Sequence, residues 1–476
     1  MVERILGPDE RYSGNKSRFQ IMSKTLAEEE AFDVGKLRKG IRSGILFSIM
    51  NLAKGALGGG VLAGHVAYMT AGYLPAIILN VIYGVYMCFN FYILVVSSQR
   101  MCRRCHVPFM TYPDVGEAAF ALYPNPKVAR WSTCYRKWID VITCLNLFGS
   151  CAAYQLMVAK TIKQLAEDTQ ESIIEGRNGL PNLRAYIAFL IVPFIVICLI
   201  TEMKYLAPFS IVANVVIGVA IVMTVKYAIK NNPGFENMVV ATNFMDVIKF
   251  TGMAVFSMSC AGVVIPVENN MKEPHKFGFV LGVGYIFIIG CVFMAAFFGY
   301  VAFLDKCESP ITMNFPLTMG PKILKGFIAV MIYVTHAVNF FMPFNCVYYY
   351  LKPKFKPENQ YKMELVFRAI IVIIIALVAI AFPSVDALMG FLGCFCLSNM
   401  AFICPNTIYV LVHYDRPGKN KKWLIWRAVL LSAFGVFILF CGSYVSGKDL
   451  VSALFMKKPA GGDETTPAPE TPAPGA

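Results

Sequence analysis

About eleven stretches of this 476-residue chain are apolar enough, and nearly all long enough, to cross a bilayer, and only short charged segments separate them. They run over residues 43–71, 74–100, 138–160, 185–201, 206–228, 248–268, 279–304, 323–351, 366–382, 388–413 and 423–445. In hydrocarbon every backbone N–H and C=O must find its partner within the protein, which leaves helices as the only way to bury so many spans. The expected fold is therefore an all-α polytopic membrane protein. A hydrophobic content of 57% with 15% charged residues agrees, since soluble domains run near 45–50% and about 25%.

The formal charge of +14 raises a nucleic-acid partner, but its distribution excludes one. The basic residues sit between spans, as in Arg100, Arg103 and Arg104, in Lys352, Lys354 and Lys356, and in Arg416, Lys419, Lys421 and Lys422. Such clusters mark cytosolic loops. Residues 1–42 then form a solvated cytosolic tail, without the apolar core of a signal peptide. Residues 43–445 form the membrane body. An odd number of spans places 446–476, rich in Pro, Ala and Thr, outside as a disordered tail. The sequon at Asn15 falls on the side where glycosylation does not occur.

Two spans are irregular. The first carries Gly58, Gly59 and Gly60 at its middle, and a glycine costs roughly 1 kcal/mol against alanine inside a helix. Two readings stay open. The run unwinds, so that the free amides of the following half-helix hold an anion such as a carboxylate. Or the small residues only allow helices to pack closely. The sixth span carries Ser257-Met-Ser-Cys-Ala-Gly262 followed by Pro266. Irregular helices at corresponding positions of two halves point to a transporter site between inverted repeats, which favours the first reading.

With both irregular spans in view, the chain resembles the amino acid/auxin permease family, in its proton-coupled amino acid transporter branch. Gly262-Val-Val-Ile-Pro-Val-Glu-Asn-Asn-Met-Lys-Glu273 follows that family's G-V-V-x-P-x-E-N-x-M-K-x segment, and Lys54-Gly-Ala-Leu-Gly-Gly-Gly-Val-Leu its first-span K-x-x-x-G-T/G-G-x-L. Cys105-His-Val-Pro and Asp114-Val-Gly-Glu-Ala-Ala-Phe are similar to insect members. The resemblance covers roughly residues 45–445. It implies eleven spans around a LeuT-type inverted-repeat core, with helices 1 and 6 broken, moving small amino acids with protons. The chain departs from the family at the site. Asn51 stands where members carry a histidine, Met258-Ser259-Cys260 where they read F-E-G, and His65 at a proline position.

The candidate substrate site comprises Gly58, Gly59 and Gly60, whose backbone would hold a carboxylate. Ser259, Cys260, Ala261 and Gly262 complete it, with carbonyls for an amine. Candidates for proton coupling or gating are Asn51, Lys54, His65, Glu268 and His336, because ionisable groups within membrane spans carry function by default. Lys54 serves either as a counter-charge or in a structural pair, and each histidine either titrates or is a hydrogen-bonded packing residue. Glu268 is expected at the cytosolic end of its span, in a gating ion pair. Asp140 is expected to pair with Arg136 and Lys137 at an interface.

No carboxylate pair, nucleophile constellation or metal-ligand spacing points to an enzyme, a cofactor or a metal. Cys102-Arg-Arg-Cys105-His106 has the haem-attachment spacing but lies in a reducing cytosolic loop. Most of the 15 cysteines lie within apolar spans and read as small packing residues, and the exterior loops offer only Cys307. The expected function is a secondary active transporter of small amino acids or related solutes, proton-coupled if the family's habit holds. It would act in the plasma membrane or an endolysosomal membrane, with lipid around it. The alternative is a family member that no longer transports and serves as a nutrient sensor or binding scaffold.

Overall fold

The computed structural model describes residues 26–32, 34, 38, 42–169, 181–201, 207–231, 234, 237–415 and 420–455. The sequon, Arg416 with Lys419, and residues 456–476 of the C-terminal tail lie outside them. The first ten residues of the expected disordered tail, 446–455, are instead helical, because the last helix continues past its apolar stretch to Phe455.

Among the described residues the chain is helical, with one isolated parallel bridge between Ser43 and Met271. A short helix α1 (Leu26–Ala31) precedes eleven helical units. The first unit is split into α2 (Ile45–Ala56) and α3 (Gly59–Ala71). Then follow α4 (Tyr73–Cys105), the connector α5 (Tyr112–Ala121), α6 (Ser132–Glu167), α7 (Leu183–Cys198) and α8 (Ala207–Lys230). The sixth unit is split into α9 (Phe244–Met258) and α10 (Val264–Asn269). The rest are α11 (Phe277–Phe303), α12 (Met319–Leu351), α13 (Gln360–Ala381), α14 (Val385–His413) and α15 (Lys421–Ser452). Among the described residues, seven helices are individually long and apolar enough to span a membrane, and the bent α2–α3 pair makes an eighth. The 16-residue α7, α8 and the α9–α10 pair complete the expected eleven.

Phe189, Ile286 and Leu430 are 75%, 73% and 73% exposed, and exposed apolar side chains recur along α4, α11 and α15. An apolar surface of this extent is stable only against lipid, so the protein is an integral multi-pass membrane protein.

Several helices outrun the apolar stretches that announced them. The second span reaches Cys105 rather than 100, and the third runs over Ser132–Glu167 rather than 138–160. Hydropathy marks only the part in hydrocarbon, while an α-helix goes on satisfying its own backbone through the interfacial layer. The widened π turns at Gly393–Ile403 and Ile438–Gly442 have no signature in the apolar pattern. They lie where α9, α14 and α15 meet. There Gly393 touches the Gly252 backbone so closely that a Cβ would overlap the Gly252 carbonyl oxygen.

Two cores result. One joins α2, α3, α4, α9, α10, α11 and the middle of α14. The other joins α6, α7, α12, α13 and the start of α14. Both broken units lie mainly in the first core, and α3 packs against α9 and α11.

Candidate functional site

The first break falls at Leu57 and Gly58, where the axis turns by 56°. The Leu57 amide closes the first half-helix onto Ala53 O at 2.7 Å. Gly58 has a negative φ of −116°, outside the left-handed region, so positive-φ backbone is not what calls for glycine here. Room is what calls for it. A Cβ on Gly59 would run into the Tyr154 ring, and one on Gly60 would sit 2.8 Å from Ser257 Cα. Unwinding and close packing, set against each other in the sequence, occur together: Gly59 and Gly60 already belong to the second half-helix. The Gly59 amide meets the Tyr154 hydroxyl, which also accepts from Asn339 Nδ2 at 3.2 Å.

The Gly60–Ser257 contact brings the second break alongside the first. Helix α9 ends at Met258, Ser259 is extended (φ −77°, ψ 127°), and a tight turn leads to Val264. The turn is closed by Val263 N and Val264 N donating to Cys260 O at 3.0 and 3.1 Å. Tyr285 of α11 holds it from outside, with its hydroxyl 3.3 Å from both Met258 O and Cys260 Sγ. Cys260 and Ala261 are buried, whereas Ser259 and Gly262 are partly accessible, as are Leu57 and Gly58 opposite. Gly59 and Gly60 are crowded, but a Cβ on Gly262 would meet nothing within 4 Å.

The coupling and gating candidates separate by place. Asn51 and Lys54 lie on α2, partly buried, and neither side chain has a hydrogen-bond or ion-pair partner among the described residues. Gly55, next to Lys54, packs onto Val263 of the second break. His65 is fully buried but lies more than a turn beyond the first break, with Nε2 2.9 Å from Glu308 O and 3.1 Å from Asn314 Nδ2. It ties α3 to the loop before α12 instead of lining the breaks. His336 on α12 is also buried, with Nε2 3.2 Å from Gln155 Nε2 and Nδ1 3.6 Å from Cys198 Sγ. Glu268 is 1% exposed and accepts from Arg38 Nη1 at 3.2 Å and from Gln99 Nε2 at 2.9 Å.

Several residues at this centre were not singled out in the sequence. Tyr154, Asn339 and Tyr285 are polar side chains within apolar spans, and that is the signal that marks them. Arg38 had no such signal, because it lies in a segment that reads as a solvated tail. It is buried, donating to Pro108 O at 2.8 Å, while Ser43 N donates to Asn270 O at 2.8 Å beside it. Glu29 is buried too, paired with Arg100 and Arg104 at 3.1 Å each, and Asp415 meets the same two arginines. These parts of the tail are therefore packed against the bundle rather than solvated, because they neutralise charges that would otherwise be buried alone.

At the opposite end Lys160 Nζ donates to Ser309 O at 3.2 Å, and Ser309 Oγ donates to Asp386. Cys307 is buried in the same loop, and burial, with Asp305 and Asp386 nearby, pushes its thiol up. Cys102 and Cys105 are buried as well, and His106 stacks on Phe32 with centroids 3.9 Å apart, so this motif is a packed helix end. Asp140 meets Arg136 at 3.8 Å and accepts from Tyr350 at 2.8 Å, while Arg136 also holds Asp114 and Glu117.

Comparison with known proteins gives the family. The chain is 28% identical over 416 residues to the proton-coupled amino acid transporter-like protein pathetic of Drosophila melanogaster, covering 85% of each chain. It is 24% identical over 426 residues to amino acid transporter AVT3C of Arabidopsis thaliana, covering 84% of this chain and 90% of that one. Among solved structures it is similar to Mhp1, a nucleobase-cation-symport-1 family transporter in a closed conformation with bromovinylhydantoin bound. That match has a TM-score of 0.49 and 14% identity, over 88% of this chain and 93% of the other. The profile of the family described as "Transmembrane amino acid transporter protein" matches residues 42–447, and the chain belongs to that family.

Proposed function

We propose that the chain carries a small amino acid across its membrane through the space between the two breaks. The observation that supports this is the meeting of two interrupted helices at their interruptions, with Gly60 against Ser257 and Gly55 against Val263. The amides that open the 13-residue α3 favour a carboxylate, and the carbonyls around Ser259 suit an amine. Family membership favours transport over the sensor reading. The Lys/Arg distribution supports a cytosolic N-terminus, which puts the Arg38–Glu268 pair on the cytosolic side as a gate. Proton coupling is proposed from the relative's name together with the ionisable residues of the spans.

The test is Gly262→Leu. Its side chain would enter open space at the second break without displacing a neighbour at Cβ. Alanine uptake into proteoliposomes is expected to fall at least about tenfold, the equivalent of about 1.4 kcal/mol, with the melting temperature unchanged. Unchanged uptake in folded protein would remove the breaks as the transport site.

A further inference from the structure

The start of α15 carries a cation that the transport site does not use. Arg427 lies about 10 Å along the helix from its capping residue Asn420, at roughly 1.5 Å per residue. Its guanidinium is stacked 4.6 Å from the Tyr409 ring of α14 and 5.9 Å from the Phe89 ring of α4. Nε and Nη2 are buried and have no hydrogen-bond partner among the described residues. The acid that follows α14, Asp415, is committed to Arg100 and Arg104. Trp423 and Trp426, 67% and 70% exposed, flank the site on the lipid side, and Lys421 and Lys422 lie nearer the helix start.

Exposed tryptophans of this kind mark the headgroup layer. A guanidinium with unpaired donors at that depth, between three helices and without an ion-pair partner among the described residues, lacks an anion with several acceptor oxygens. The guanidinium fork matches a phosphate bidentately. We propose that Arg427, with Lys421 and Lys422, forms a binding site for the headgroup of an anionic phospholipid seated between α4, α14 and α15. The lipid source follows from the position of the unpaired donors beside two exposed tryptophans, where a basic pocket between helices takes acidic headgroups.

Native mass spectrometry of the full chain, delipidated and offered equal amounts of phosphatidylserine and phosphatidylcholine, tests this. The unmodified protein is expected to retain phosphatidylserine over phosphatidylcholine by about fivefold or more, the effect of one favourable charge at a membrane surface. Arg427→Gln should bring the ratio near one. Arg427→Lys should fall between, because an ammonium keeps the charge and loses the fork. Equal retention of the two lipids by the unmodified protein overturns the proposal without any variant, and so does undiminished selectivity in folded Arg427→Gln. Displacement of phosphatidylserine by millimolar inorganic phosphate would assign the site to free phosphate and overturn the lipid reading.

Discussion

At the first break the backbone is crowded from two sides, by the Tyr154 ring against Gly59 and by the Ser257 backbone against Gly60. At the second break the turn is held from one side by the Tyr285 hydroxyl, and Gly262 faces open space. Glycine at the first break is thus a packing requirement, and the small residue at the second leaves room. The half-helices beyond the breaks are anchored differently as well. Helix α10 is tied by the Arg38–Glu268 ion pair and, just past its end, by the Ser43 backbone, whereas α3 is tied by His65 Nε2 to the Glu308 carbonyl. One half of the centre is fixed by shape and neutral hydrogen bonds, and the other by charge and a strap from the N-terminal segment.

The largest expected effect tests the anchoring. Glu268→Gln leaves the buried Arg38 guanidinium without its carboxylate, and breaking one partner of such a pair costs on the order of 3–5 kcal/mol. The melting temperature should fall steeply. The double variant Arg38→Met with Glu268→Gln should recover much of the loss, since no charge is then stranded. His65→Gln, which removes only a neutral hydrogen bond, should cost about 1 kcal/mol. Equal losses from Glu268→Gln and His65→Gln would erase the distinction between charged and neutral anchoring.

The contrast explains how much could be read from the sequence. The number of spans, the two irregular ones and their pairing were legible, because apolar length and glycine runs are local signals. Glu268 was legible as an acid at a span end, but its partner was not. Arg38 lies 230 residues away in a segment whose mixed charges look solvated until the fold brings the opposite charge to it. The π turns of α14 and α15 were invisible for a related reason. They accompany the Gly252–Gly393 contact, which no local pattern encodes.

An intermediate effect separates the two kinds of small residue. Gly60→Val drives a branched side chain against the Ser257 backbone, and overpacking of this kind costs about 1–3 kcal/mol. Gly262→Val places its Cβ where no atom lies within 4 Å and should leave the melting temperature unchanged. Thermal unfolding of the two variants in one detergent checks this. A Gly262→Val loss as large as that of Gly60→Val would show that the second break is as tightly packed as the first.

The smallest effect comes from two hydroxyls. Tyr285→Phe removes the group that meets Met258 O and Cys260 Sγ, and Tyr154→Phe removes the group between the Gly59 amide and Asn339. Each deletion should cost about 1 kcal/mol of stability, the usual net value of a buried hydrogen bond. Their effects on transport should differ. The Tyr285 hydroxyl steadies the turn from behind, on the side of α11, so its loss should leave KM for alanine near the original value. The Tyr154 hydroxyl sits on an amide at the mouth of α3, the place proposed for the substrate carboxylate. Its loss either frees that amide or lets the ring shift into the space, so KM should change by about threefold or more, a threefold change being under about 1 kcal/mol of binding energy. Equal KM values for the two variants would mean that the amides of the first break do not meet the substrate, and the carboxylate would then have to be sought at Lys54.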